Sequence, residues 1–307
     1  MSLRLRLAVA VMRLLGKPLL ARVSDPGMAR KWLAALCRFA PRPKHVLHLV
    51  DAGSPPTHWI SAGADRQDAV ILYLHGGGYI AGSPTTHEAL VARISRLTGL
   101  TLACPDYRLA PEHPAPAAFE DAVAAHQMLL AKGHAPGRIV LGGDSAGGGL
   151  ALALLADLCQ RGLTPAGLFV FSPWTDLTMS SDSLRRNAAR DPILPANRVS
   201  EAVARVRGTL APGDPRLSPL HASFPGVPPV LIQVGPDEIL YDDSRRMAEV
   251  LHRAGGQVEL QEWQGCPHVW QFMDGLVPEA RAALRKVAGF VGRLVPVPSL
   301  PPRSGDS

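Results

Sequence analysis

The stretch Gly142-Gly-Asp-Ser145-Ala-Gly-Gly-Gly149 sets one serine among five glycines. Within it, Gly143 to Gly147 reads G-x-S-x-G. It follows an apolar run, Arg138 to Gly142, and opens a long Ala- and Leu-rich segment. That order is strand, tight turn, helix, the context in which such a serine becomes a nucleophile. Glycines flank it because a side chain there would collide with the turn. The turn itself forces the serine into a strained conformation that exposes its hydroxyl. The helix start behind it offers unpaired N–H groups to a developing negative charge. A phosphate loop would need Gly-Lys-Ser/Thr at its end, and no lysine is present. A second glycine run, His75-Gly-Gly-Gly-Tyr-Ile-Ala-Gly-Ser83, also follows a buried apolar run. Its Gly76 and Gly77 amides, with that of Ala146, are expected to form an oxyanion hole. His75 is expected to hold this loop rather than to act as a base.

A nucleophile of this kind needs an acid and then a histidine further along the chain. Gly235-Pro-Asp237-Glu238-Ile-Leu-Tyr-Asp242-Asp243 follows one apolar run, and Gly265-Cys-Pro-His268-Val-Trp270 follows the next. Both would lie beyond the carboxyl ends of strands, where open α/β sheets bind ligands. His268 is the histidine in the right order and place. Asp237, the first acid past its strand, is the expected partner, with Glu238 the alternative. Asp242 and Asp243 read as caps of the next helix.

The elements that would position these groups alternate. Apolar runs at 69–74, 100–104, 138–142, 166–171, 229–234 and 257–263 read as strands, most of them buried on both faces. Loose alternation over 45–59 suggests one more. Helical patterns cover 86–97, 117–131, 146–161, 244–254 and 279–294. This alternation predicts an α/β fold with a mostly parallel sheet flanked by helices. Residues 1–44 read as an N-terminal helical segment, and 178–220, with a helix-like 196–210, as an insertion. The core parts are 45–177 and 221–295, and the Pro-rich 296–307 reads as a disordered tail.

The composition narrows the function. The chain has 307 residues, 47% of them hydrophobic and 19% charged, enough to bury a large core. Net charge is +6, but aromatic residues are 5% and no dense basic run appears, which argues against nucleic acid. Four scattered cysteines show no metal-binding or disulfide pattern and fit a reducing cytoplasm. The N-terminal apolar runs are broken by Arg4, Arg6, Arg13 and Lys17. They are too short to span a bilayer, though a basic helix there suits a lid or a membrane surface.

Together these motifs resemble the hormone-sensitive-lipase-like (bacterial family IV) carboxylesterases of the α/β-hydrolase fold. The resemblance rests on HGGGYIAGS, Asp106-Tyr-Arg-Leu-Ala-Pro-Glu-His-Pro114, GDSAGGGL, Ser172-Pro-Trp-Thr-Asp-Leu177, Asp237-Glu-Ile-Leu and Pro267-His-Val-Trp270. It implies a triad at Ser145, His268 and Asp237, oxyanion donors at Gly76, Gly77 and Ala146, and a helical cap from residues 1–44 and about 178–220. Tyr107, Arg108 and Glu112 would brace loops. The expected activity is hydrolysis of short-chain acyl esters through an acyl-enzyme, with neither cofactor nor metal. The partner is a small-molecule ester, and dimers known among relatives make a homodimer a further expectation. A lactonase or a deacetylase of acetylated metabolites would use the same triad. A non-catalytic receptor, as among plant gibberellin receptors, would lack the histidine.

Overall fold

The computed structural model describes residues 1–38, 40–63 and 66–296. The tail expected at 296–307 lies almost wholly outside them. The chain begins with helix α1 (Leu3–Val11), a π-helical turn (Met12–Gly16), α2 (Lys17–Arg22) and α3 (Pro26–Cys37). Strands β1 (Val46–Asp51), β2 (Thr57–Ala62) and β3 (Arg66–Leu74) follow, then α4 (Pro84–Thr98), β4 (Leu100–Pro105) and α5 (Ala117–Ala131). Next come β5 (Ile139–Asp144), α6 (Ser145–Gln160), β6 (Gly167–Phe171) and the short helices α7 (Ser183–Arg186) and α8 (Val199–Val206). The chain closes with β7 (Val230–Val234), α9 (Tyr241–Arg253), β8 (Val258–Glu262) and α10 (Pro278–Leu294).

The strands form one sheet in the order β1-β2-β4-β3-β5-β6-β7-β8. From β4 to β8 every pairing is parallel, whereas β1 with β2 and β2 with β4 are antiparallel. The single strand expected over 45–59 is thus a hairpin, turning at Gly53-Ser-Pro-Pro56. Likewise the helix expected at 196–210 is a 3-10 turn at 196–198 followed by the two-turn α8.

The central strands are apolar throughout because helices cover both faces. In β3, Val70, Leu72 and Leu74 belong to one apolar cluster with residues of α5, α6 and α9, while Ile71 and Tyr73 belong to a second with residues of α4 and α10. Parallel strands sandwiched in this way leave no solvent face for polar alternation. The carboxyl ends of β3, β5, β7 and β8 therefore open onto one edge, where the chemistry-bearing loops emerge.

The N-terminal helices are tied to the rest by polar contacts. Lys17 donates to the carbonyls of Ala188 and Asp191, Arg198 to that of Ala21, and Arg205 to that of Ser24. Arg30 donates to the carbonyls of Ile80 and Ala110 and pairs with Glu112. Leu5 is fully buried against Trp270, Met273 and Val277. No helix is long and apolar enough to cross a membrane among the described residues. All four cysteines are free, with Cys104, Cys159 and Cys266 buried and Cys37 half-buried.

Candidate active site

Ser145 opens α6 directly after β5, with φ at +52°. A non-glycine residue in that region is strained by roughly 1–3 kcal/mol, so packing must hold it. The packing is evident at Gly147, where a Cβ would stand 2.1 Å from the Leu74 carbonyl oxygen and 2.3 Å from that of His75. At Gly143 a Cβ would meet the Gly147 oxygen at 2.5 Å. The Ser145 carbonyl accepts from the Trp174 amide at 2.9 Å, which fixes the turn from the other side.

His268 arrives from the loop after β8. Its Nε2 lies 2.9 Å from Ser145 Oγ and its Nδ1 2.7 Å from Glu238 Oε2. Glu238 is fully buried. Its other oxygen, Oε1, accepts from the Gly235 amide at 2.6 Å and from Ser172 Oγ at 2.8 Å. A buried carboxylate needs such donors to stay charged. Burial opposes a charge on His268, but the hydrogen bond and charge of Glu238 outweigh it, and the imidazole pKa is raised above 6.5.

Asp237, the expected partner of His268, is not at this position. Its side chain is partly exposed and pairs with Arg190 at 3.0 Å. The loop after β7 turns at Gly235 and Pro236, so the second acid points inward and the first outward. Strand order alone could not choose between adjacent residues with opposite side-chain directions. The turn is held from outside: Asn187 Nδ2 donates to the Pro236 and Glu238 carbonyls, and the Ile239 amide donates to Asp191 Oδ2.

The second glycine run brings one further correction. The Gly76 amide, expected to face a substrate oxygen, donates to Asp144 Oδ1 at 3.1 Å and His87 Nε2 at 3.2 Å. A Cβ at Gly76 would stand 2.2 Å from Asp144 Oδ2, so this glycine exists for that close approach. Asp144 also accepts from Tyr73 Oη at 2.9 Å. Burial raises its pKa, but His87 and Tyr73 more than compensate, and the carboxyl stays below the usual range. Among the described residues the Gly77 and Gly78 amides donate to no protein acceptor. Both residues have positive φ, +121° and +65°.

His75 holds the loop as expected. It stacks on Tyr107 with centroids 4.2 Å apart, and Tyr107 Oη donates to its carbonyl at 2.6 Å. Burial pushes its pKa down to about 3, so it is neutral. Arg108 pairs with Asp121 and Glu120, which completes the bracing expected of 106–114. Sequence reasoning missed Ser172, Asn187, Asp191 and His87. Ser172 alone carried a signal in the sequence, because with Pro173 it directly ends the apolar run of β6. Asp242 and Asp243 do not cap α9 with their side chains. Asp243 accepts from the Thr175 and Asp176 amides, and Asp242 from that of Ser183.

The arrangement can take a proton from a serine hydroxyl and hold the resulting charge on an imidazole backed by a carboxylate. Known proteins resemble the chain in sequence and in architecture. A protein family described as having the alpha/beta hydrolase fold matches residues 71–272. An acetyl-hydrolase of Streptomyces hygroscopicus is 39% identical over 245 residues, 79% of this chain and 81% of that protein. An esterase of Acinetobacter venetianus is 37% identical over 272 residues, 88% of this chain and 89% of its own. Among solved structures, an esterase from the bacterial hormone-sensitive lipase family superposes with a TM-score of 0.89 at 37% identity, covering 96% of this chain and 99% of that one. The esterase EstE5, solved from a crystal soaked with p-nitrophenyl butyrate, superposes with a TM-score of 0.90 at 34% identity, covering the same shares.

Proposed function

Because the chain belongs to the bacterial hormone-sensitive-lipase family of α/β-hydrolases and is a hydrolase of carboxylic esters, we propose that it cleaves short-chain acyl esters through an acyl-enzyme on Ser145. The observation that carries this reading is the unbroken relay Ser145 Oγ, His268 and Glu238, at 2.9 and 2.7 Å. Ser145 Oγ attacks the ester carbonyl while His268 Nε2 takes its proton. Glu238 fixes the imidazole with its proton on Nδ1 and stabilises the cation that forms. The tetrahedral oxyanion is held by the amides of Gly77, Gly78 and Ala146. Gly77 and Gly78 have free N–H groups among the described residues, and Ala146 lies in the first turn of α6, where amides lack an intrahelical acceptor. His268 then protonates the leaving alcohol, and water repeats the cycle on the acyl-enzyme. Gly76, whose amide serves Asp144, sets the shape of the loop instead.

Residues 1–44 and 178–220 form the cap in this reading. Tyr79, Phe119, Leu150, Val206 and Leu217 line a narrow, mostly apolar cavity beside the glycine loop. The acetyl-hydrolase name of one relative favours removal of acetyl groups as a second reading. The buried free thiols support a cytoplasmic location.

Ser145→Ala is the decisive variant. It should lower p-nitrophenyl butyrate hydrolysis by at least about 10³-fold while the melting temperature holds. Quenched wild-type protein should carry one acyl group on the peptide that contains Ser145. Retained turnover, or acylation elsewhere, would overturn the proposal. Rates for acetyl, butyryl, octanoyl and palmitoyl esters would separate the acyl-length readings.

A further inference from the structure

The +6 net charge of the chain is unevenly placed. Residues 1–44 hold ten Lys and Arg against one acid, Asp25, so that segment carries +9 and the remainder −3. The same segment holds most of the exposed apolar surface. Of seventeen large hydrophobic side chains exposed among the described residues, eleven lie between Met1 and Leu36. Leu3, Leu7, Val11, Leu15 and Leu19 recur at every fourth position along α1, the π turn and α2, each at least 41% exposed. In a pure α-helix such a series drifts around the axis by about 40° per step. The wider π turn at Met12–Gly16 offsets part of that drift and keeps the residues in one stripe. The opposite side of α1 is apolar too, with Leu5 buried against Trp270. A helix apolar on both sides calls for a second cover on its outer side.

We propose that this face docks on an anionic lipid surface, with the leucine stripe in the interface and the flanking basic residues against lipid headgroups. Arg4, Arg6, Arg22, Lys31 and Arg38 are exposed and form no salt bridge among the described residues. They are left to meet external anions. A second copy of the chain on the same face is disfavoured by charge, since a two-fold contact would set +9 against +9. Apolar stripe and unpaired cations together are the requirements of a helix lying in a membrane interface. This inference is independent of the reaction at Ser145.

Cosedimentation of the full chain with phosphatidylcholine vesicles, with and without 30% phosphatidylglycerol, tests it. The protein should bind the anionic vesicles at least tenfold more tightly than the neutral ones, and 0.5 M NaCl should weaken that binding. Two variants divide the contributions: Arg4→Glu with Arg6→Glu, and Leu3→Ser with Leu7→Ser and Leu15→Ser. All five positions are exposed, and melting curves check that the fold survives. Each variant should lose at least tenfold in vesicle binding. Absent or equal binding to both vesicle types would overturn the proposal, as would wild-type binding by either variant. A concentration-dependent dimer that the leucine variant abolishes, without vesicle binding, would assign the face to a second copy instead.

Discussion

Replacing Glu238 by Gln keeps its size and removes its charge, while the neighbouring Asp237→Asn does the same at the surface. Glu238→Gln should lower kcat by roughly 10²–10⁴-fold, as loss of the orienting carboxylate does in other triads. Asp237→Asn should leave kcat within about twofold, since Asp237 only pairs with Arg190. Steady-state kinetics on p-nitrophenyl butyrate would read both. The pH profile follows from the same contact. His268 must be neutral to accept a proton, and its pKa is raised above 6.5 by Glu238 against the pull of burial. Activity should therefore rise with pH through a value above the ordinary imidazole range. Glu238→Gln should move that limb to lower pH, because the charge that favours the imidazolium is gone. The linked stability has the opposite trend: the Glu238–His268 ion pair stabilises the fold most below about pH 6.5 and fades as pH rises through the raised pKa.

At the scale of elements, the β5–α6 turn is a crossing of backbones with no room for side chains. Gly147→Ala would press a methyl into the Leu74 and His75 carbonyls. It should cost about 1–3 kcal/mol of stability and, by shifting Ser145, about 10²-fold in kcat. Gly289, inside α10 with open space on the side where a methyl would stand, is the counterpart. Gly289→Ala should stabilise by about 0.5–1 kcal/mol, read as a higher urea midpoint. These elements also explain how much of the fold is legible in the sequence. Strands β3 to β7 were legible because two-sided burial makes them apolar runs, and α5 was legible to the residue. The β1–β2 hairpin was not, because β1 is half exposed and its Leu47 and Leu49 face solvent. Order along the chain gave Ser145 and His268 their places, since Ser145 follows β5 directly and His268 lies in the loop after β8. It could not separate Asp237 from Glu238, because a turn's rotation, not its order in the chain, decides which side chain points inward.

Across the whole molecule, the N-terminal segment links distant parts. Leu5, Ala280 and Ala283 of α10, and Trp270 and Met273 share one small apolar cluster. Leu5→Ala should cost about 2–5 kcal/mol, read as a lower melting temperature with altered tryptophan emission. Trp270 lies two residues past His268, so this cluster supports the histidine loop from beneath. Ser2 reinforces it by donating through its amide and its hydroxyl to Glu279. Met1 goes one step further: its sulfur sits against Gly265, in the turn that leads to His268. Met1 thus touches the loop that carries the base, across more than 260 positions of sequence. A fluorophore on a cysteine placed at position 1 would report on that loop, its emission changing with each acylation and release.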